Sequence, residues 1–419
     1  MVGQINTTRI LERIEQLSLC SETSSGVTRR SFTKQSDEAD KMVIEWMQAA
    51  GMSVRKDAMN NVIGHFDGRN PDAPVLIMGS HLDSVINGGK YDGTLGVLSA
   101  IEVVQVLYET KQIPEHPLEV ICFCDEEGTR FHTTFLGSRA MAGTLTAEDL
   151  QKCDDQGISI ATAMQENGLI PEYFHFATRH SHSILAYLEL HIEQGPVLEY
   201  VNQPCGSVSG IAGVSRYTFS IKGNAGHAGT VPMENRQDAL AGAAEIIAKI
   251  EELAKNNVPL VATVGKLVVG PGTSNVIPEI VKGTLDVRDI DSIRKAEFLT
   301  ELFTMVNEIT KRRKLSCKFE RIMEVTPVSC SRSITDCIDT AMLINGINPH
   351  QLISGAGHDA MIMSGLTDIG MIFVRCKGGI SHSPKEYVSP YDIETSTKIM
   401  LDTVWMLAND RSNYCSDRE

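Results

Sequence analysis

VLIMGSHLDSVINGGKYDGTLGVLSAIEVVQVLYETK, residues 75–111, decides how this chain folds. The opening apolar run in APVLIMGS (73–80) is short and unbroken, which suits a strand buried on both faces. From Thr94 the apolar residues recur with the 3.6 period of a helix packed on a sheet. HPLEVICFCDEEG (116–128) follows as a second apolar run that ends in acids. Strand, helix, strand predicts a largely parallel sheet with crossover helices, an α/β class.

Upstream, Thr8 to Leu19 reads as a helix with Leu11, Ile14 and Leu17 on one side. SDEADKMVIEWMQAAGM (36–52) reads as another, with Ser36 as its cap and Gly51 as its stop; Met42, Trp46 and Met47 are core by spacing. Two short strands are expected to turn near Asn60 and Asn61. Around residue 212 the texture changes. RYTFSIKGNAGHAG (216–229) alternates, and RQDALAGAAEIIAKIEELAKNN (236–257) is amphipathic. Two or three antiparallel strands are expected across 260–291, then a helix and a strand. The expected division is a first domain over 1–211, an α+β insert over 212–329, and a return to the first domain over 330–419.

Composition narrows the partners. Lys and Arg number 38 against 53 Asp and Glu, a net charge of −15, so a phosphate backbone would be repelled and no nucleic acid is expected. The start carries no secretory pattern and no stretch is apolar for long enough to span a bilayer; a cytoplasmic enzyme without membrane contact is the expectation. The ten cysteines include no CxxC pair and read as reduced thiols, with Cys122 and Cys124 as small buried hydrophobes.

Four polar clusters each follow an expected strand: His81 and Asp83 with Asp92; Asp125, Glu126 and Glu127; Glu189, His191 and Glu193; and His382. Ligands of open α/β sheets bind beyond the carboxyl ends of the strands, where residues distant in sequence meet. Taken singly, each cluster is as well explained by a turn, a cap or a surface histidine. Together, imidazoles and carboxylates are the donor set of zinc-like divalent ions, and their number suits two sites. Two metals about 3.5–4 Å apart share a carboxylate and a water, and one further acid must stay uncoordinated as general base. Neighbours on a strand face opposite ways, so Glu126 and Glu127 are expected to differ in role, but periodicity does not say which is the base.

The motifs GSHLDSVINGGKYDG, DEEGTRF, GSRAMAG, ELHIEQG, GNAGHAGTVPM, NVIPE, SGAGHDA and GISHSPKE extend over nearly the whole chain. In them the chain resembles the M20-type metallopeptidase/amidohydrolase superfamily. It is similar to the hydantoinase/carbamoylase branch of N-carbamoyl-L-amino-acid hydrolases, allantoate amidohydrolases and β-ureidopropionases. The resemblance implies a metallo-aminopeptidase-like catalytic domain with an inserted lid and dimerisation domain, and two divalent ions per subunit, of Zn, Mn, Co or Ni. It implies that His81 and His191 hold one metal, Glu127 and His382 the other, and Asp92 bridges. Asp83 would bond His81 and fix its tautomer, and Glu126 would be the general base. His227 would stabilise the oxyanion, often supplied across a homodimer. Arg216, Asn275 and Arg288 match substrate-binding positions, with Gln194 and the loop Ser354–Ala360 as further wall candidates.

Read from residues alone, Arg288 is equally well a surface ion pair with Asp286 or Asp289, and Asn275 a turn residue. His132 and His358 read as structural. GSRAMAG and the opening SSGVTRRSFT are more similar to the carbamoyl-amino-acid hydrolases than to the allantoate enzymes. The expected activity is hydrolysis of an N-carbamoyl-L-amino acid to L-amino acid, carbon dioxide and ammonia. The rivals are allantoate or N-carbamoyl-β-alanine as substrate, a peptidase or aminoacylase activity and, in another class, a metal-dependent binding protein without turnover.

Overall fold

The computed structural model describes residues 3–409. The chain divides into two compact units. One comprises the chain up to Ser209 together with the part from Cys330 onward, and the other is Gly210–Ser329.

Helix α1 (Thr7–Ser18) buries Ile10, Ile14 and Leu17 and is capped by Asn6, whose side chain accepts from Arg9 N–H. Helix α2 is Lys34–Ala49. Its cap is Thr33 rather than Ser36, because the helix starts at Lys34 and the Thr33 hydroxyl accepts from the Ser36 amide. Strands β1 (Ser53–Lys56) and β2 (Val62–Phe66) form the expected hairpin. β3 (Val75–His81) leads through the glycine-rich loop into α3 (Thr94–Glu109), and β4 (Leu118–Phe123) follows. α3 is buried from Thr94 to Leu107 on every side, so it is a core helix rather than an amphipathic one. Two short helices, α4 (Leu136–Met141) and α5 (Ile160–Glu166), precede β5 (Ile184–Ile192), the four-residue α6 (Val197–Tyr200) and β6 (Cys205–Ile211).

The second unit is built on an antiparallel sheet. β7 (Gly213–Lys222) is its long inner strand, and β8 (Gly226–His227) is a two-residue ribbon. α7 (Ala239–Lys255), β9 (Val261–Gly270), β10 (Val276–Ile277), β11 (Ile280–Asp289), α8 (Ser292–Arg313), β12 (Ser316–Glu324) and β13 (Val328–Ser329) complete it. The strand order is β12-β7-β11-β9, and β8 pairs with β10. The odd-numbered residues Tyr217, Phe219, Ile221, Leu285 and Val287 pack under α7 and α8 with Ile246, Phe298 and Leu302. The even-numbered residues therefore line the helix-free face. Gly210 and Ile211 pair with Ser329 and Val328, so the outgoing and returning segments run side by side.

The first unit resumes with α9 (Arg332–Ile344), β14 (Gln351–Ser354), α10 (Asp359–Met363), β15 (Ile369–Val374) and α11 (Pro390–Asn409). Its sheet runs β1-β2-β4-β3-β5-β15-β6, with β14 beside β6. The four central strands β4, β3, β5 and β15 are parallel to their neighbours in that group and buried at every position. The flanking pairings are antiparallel. The carboxyl ends of the four parallel strands thus lie along one edge, and the chemistry-bearing residues sit on and just beyond them.

Candidate active site

His81 is the last residue of β3, and His191 is the penultimate residue of the neighbouring strand β5, inside the strand rather than after it. Both rings are buried and their centroids lie 5.9 Å apart. His81 Nδ1 lies 3.0 Å from the carbonyl of Asp83, and His191 Nδ1 lies 2.9 Å from the carbonyl of Ile192. A carbonyl only accepts, so each ring carries a proton on Nδ1 and turns its Nε2 inward.

Asp92 is where those nitrogens point. His191 Nε2 is 3.1 Å from Oδ1 and His81 Nε2 is 4.0 Å from it; His382 Nε2 is 3.1 Å from Oδ2 and 3.6 Å from Glu127 Oε1. Two ligand groups result, His81–Asp92–His191 and Asp92–Glu127–His382, with Asp92 common to both. The loop that presents Asp92 depends on Gly93. Its φ of +61° is left-handed, and a Cβ there would stand 2.5 Å from the His81 ring.

The donor set fits a pair of divalent cations. Asp92 Oδ1 is buried and has no hydrogen-bond partner, although two imidazole nitrogens face it. Burial and then the Asp92 charge push Glu127 up to about 7, and burial followed by Glu127, Asp359, Asp83 and Asp92 pushes Glu126 well above the carboxylate range. Burial lowers His191, but the facing Asp92 carboxylate, the Glu189 charge and the Ile192 carbonyl together outweigh this and bring it up to about 9. Positive charge is what such a cluster of acids attracts. A third group, Glu189–His191–His358, is less suited. Glu189 already accepts from Ser80 Oγ, Tyr187 OH and the Ala360 amide, and His358 Nε2 is paired with Ser354 Oγ.

Glu126 stands apart from both groups that share Asp92. It is buried, and its Oε2 lies 3.9 Å from His81 Nε2. The expectation that strand alternation separates Glu126 from Glu127 is corrected. β4 ends at Phe123 and Asp125 has a φ of +57°, so both glutamates sit in a loop where alternation does not hold. Asp83 meets the His81 ring through its main chain. Its carbonyl, not its carboxylate, meets His81; the carboxylate lies 3.6 Å from that ring. Its two oxygens instead accept the amides of Glu126 and Glu127 at 3.0 Å each.

A model of peptidase family M20/M25/M40 matches residues 77–406. The chain belongs to that family. An N-carbamoyl-L-amino-acid amidohydrolase of Pseudomonas sp. (strain NS671) is 43% identical over 405 residues, covering 96% of this chain and 98% of the relative. One from Geobacillus stearothermophilus is 44% identical over 401 residues, with the same coverage. An allantoate deiminase of Arabidopsis thaliana is 40% identical, covering 93% of this chain and 80% of that protein. A crystal structure of a hydantoinase/carbamoylase family amidase from Burkholderia multivorans superposes with a TM-score of 0.93 at 31% identity, covering 98% of this chain and all of that one. The mixed sheet with its parallel centre is thus the fold of this family.

Other candidates of this M20 chain fall into place around the site. Gln194, with a φ of +57°, donates its amide to Asp92 Oδ2 at 3.1 Å and lies 3.3 Å from His382 Nε2. Glu193 caps α6 through the amides of Val197 and Leu198 and takes no part in the cluster. His132 is exposed beside Asp155. Cys122 and Cys124 are buried. One residue escaped the sequence reading. Glu386, the last of GISHSPKE, accepts the amides of Tyr91 and Asp92 at 2.8 and 3.0 Å and so ties the Asp92 loop to the His382 loop. Its signal was its place four residues after His382.

The second unit carries two groups of candidates. His227 on β8 faces Val276 on β10, and the neighbouring Asn275 accepts the Ala228 amide through its carbonyl. Gly229 N–H donates to His227 Nδ1, so the neutral ring bears its proton on Nε2, on an exposed residue. Arg216 and Arg288 are both ion-paired to Asp286.

Proposed function

We propose that the chain hydrolyses N-carbamoyl-L-amino acids to the L-amino acid, carbon dioxide and ammonia. One observation carries the reading: two ligand groups share Asp92, and a buried, uncommitted glutamate stands beside them. The names of the relatives at 43% and 44% identity over nearly the whole length support the substrate class.

His81 and His191 would hold one divalent ion, Glu127 and His382 the other, with Asp92 between. Bound there, a pair of Zn, Mn, Co or Ni ions would polarise the ureido carbonyl and acidify a water. Glu126 takes that water's proton and delivers it to the amino-acid nitrogen as the carbamoyl C–N bond breaks; the carbamate released falls apart to carbon dioxide and ammonia. Asp83 serves this step indirectly, by holding the Glu126 and Glu127 amides. His227 Nε2–H donates to the developing oxyanion. Arg288, Arg216 and Asn275 bind the α-carboxylate, and Gln194 and the loop Ser354–Ala360 wall the pocket. The unit Gly210–Ser329 acts as a lid and joins two copies in a homodimer. In support of the latter, β9 pairs, among the described residues, with β11 alone, and it exposes Val261, Leu267 and Val268. No described helix is long and apolar enough to cross a membrane, and we place the enzyme in the cytoplasm, without a nucleic-acid partner.

A second reading changes only the substrate. Allantoate also presents a ureido carbonyl and a carboxylate, and the allantoate deiminase at 40% identity favours it. A substrate panel on metal-reconstituted protein separates the two. N-carbamoyl-L-methionine is expected to turn over fastest; allantoate or N-carbamoyl-β-alanine turning over far faster would overturn the first reading.

A further inference from the structure

Asp286 joins the two arginines of the second unit into one unit of charge. Arg216 reaches its Oδ2 through Nε at 2.9 Å and Nη2 at 2.7 Å. Arg288 reaches its Oδ1 through Nε at 2.7 Å and its Oδ2 through Nη2 at 3.3 Å. The sheet dictates this arrangement. Asp286 on β11 stands directly opposite Arg216 on β7, and Arg288 is two residues along the same strand and so on the same face. The face is the helix-free one.

Without the carboxylate, the two guanidinium groups would be diagonal neighbours of like charge, which repel and splay. With it, the trio carries one net positive charge. The Asp286 carboxyl is half-buried; burial works against its charge, yet the bonds from Arg288 and Arg216 hold it below the usual carboxylate range. It therefore stays ionised at neutral pH. Both arginines turn the edge formed by Nε and Nη2 to Asp286, the side-on geometry in which a guanidinium grips a carboxylate. The strands are also irregular on both sides of the trio. The β9–β11 register shifts between Thr284 and Asp286, and the β12–β7 register shifts between Arg321 and Met323, where Met323 faces Arg216. Bulges at such places re-aim side chains.

We propose that Asp286 is a positioning residue that holds Arg216 and Arg288 as a preformed, singly charged receptor for one carboxylate group. The inference rests on the reading above in which these arginines bind the substrate's α-carboxylate. It adds that their affinity for it depends on an acid that never touches the substrate.

The test measures binding by calorimetry, in metal-reconstituted E126Q protein so that no turnover intervenes. The ligands are N-carbamoyl-L-methionine and its carboxamide, which lacks the charge. D286A is expected to weaken the acid by about tenfold, the scale of one charge-assisted hydrogen bond, and to leave the amide within about twofold. D286N keeps the shape without the charge and is expected to lie between; it also serves if D286A fails to fold. Acid affinity that is unchanged or tighter overturns the proposal. So does an equal loss for both ligands, which marks Asp286 as merely structural. R288A separates the two levels. If R288A removes the preference for the acid and D286A does not, only the role of Asp286 falls. If R288A keeps that preference, or E126Q protein binds neither ligand, the carboxylate reading falls and this inference with it.

Discussion

Asp83 holds Glu126 by its backbone: one carboxylate oxygen accepts the Glu126 amide at 3.0 Å and the other accepts the Glu127 amide at the same distance. One acid thus orients two others, and its carbonyl orients His81 as well. Replacing Asp83 by Asn leaves one acceptor and turns an N–H₂ toward an amide. We expect D83N to lower metal affinity by about 10–100-fold, the range for residues that orient ligands. Metal titration of the purified protein checks it; unaltered affinity would remove Asp83 from the scheme.

Glu126 faces the cluster without belonging to either group that shares Asp92. Glu126→Gln should keep the fold and the bound metal while losing about 10²–10⁴-fold in kcat. Metal analysis beside a rate assay decides this. A rate equal to that of the parent would falsify the assignment of the base, and a parent without turnover on any ureido or amide substrate would leave a binding protein.

Chelation should abolish activity, and Mn or Zn added back should restore it. It should also lower Tm, because a ligand bound only to the native state stabilises that state, by about 4 kcal/mol when present at a thousandfold excess over its Kd. Activity persisting in protein shown by elemental analysis to be free of divalent metal would contradict the cation pair.

His227 and Glu126 lie in different units of the chain. If one copy's lid serves the other's cluster, mixing inactive H227A and E126Q proteins should recover up to about a quarter of the parental activity as subunits exchange into the symmetric dimer. Mass spectrometry monitors the exchange. No recovery after proven exchange would indicate a site completed within one chain.

Stability should fall in acid through Asp149. Burial raises this carboxyl, but Lys152, Arg139 and the Thr146 amide lower it by more, so its folded value is depressed. A depressed value stabilises the fold above the unfolded pKa of about 3.9, and that contribution is lost as pH falls through the folded value. Asp149→Asn should therefore be less stable than the parent at pH 7, by about 1–3 kcal/mol for buried acceptors left short of charge, with the gap closing below about pH 4. Urea midpoints across pH measure the gap; one that stays constant would show that Asp149 does not titrate with folding.

Much of the fold was legible because local patterns report burial. The unbroken apolar runs of β3 and β4 are strands covered on both faces, and the 3.6 period after Thr94 is α3. Less was legible where the backbone leaves regular geometry. Asp125, Gln194 and His382 all have left-handed φ values near +55°, and no periodicity describes where their neighbours point. Hence alternation does not describe Glu126 and Glu127, and the two amides that the Asp83 carboxylate accepts left no mark in the sequence.

The amino-acid pattern alone determined the strand-helix-strand order, the parallel centre of the sheet, and which imidazoles and acids stand at strand ends, because these follow from apolar spacing along the chain. Only the folded chain decided that Asp92 is shared by two ligand groups, that Asp83 braces two amides, that Glu386 links two loops, and that Asp286 pairs two arginines. Each of these joins segments whose separation in sequence, or whose turn geometry, leaves no local trace; it exists only once packing has brought the partners within a hydrogen bond's length.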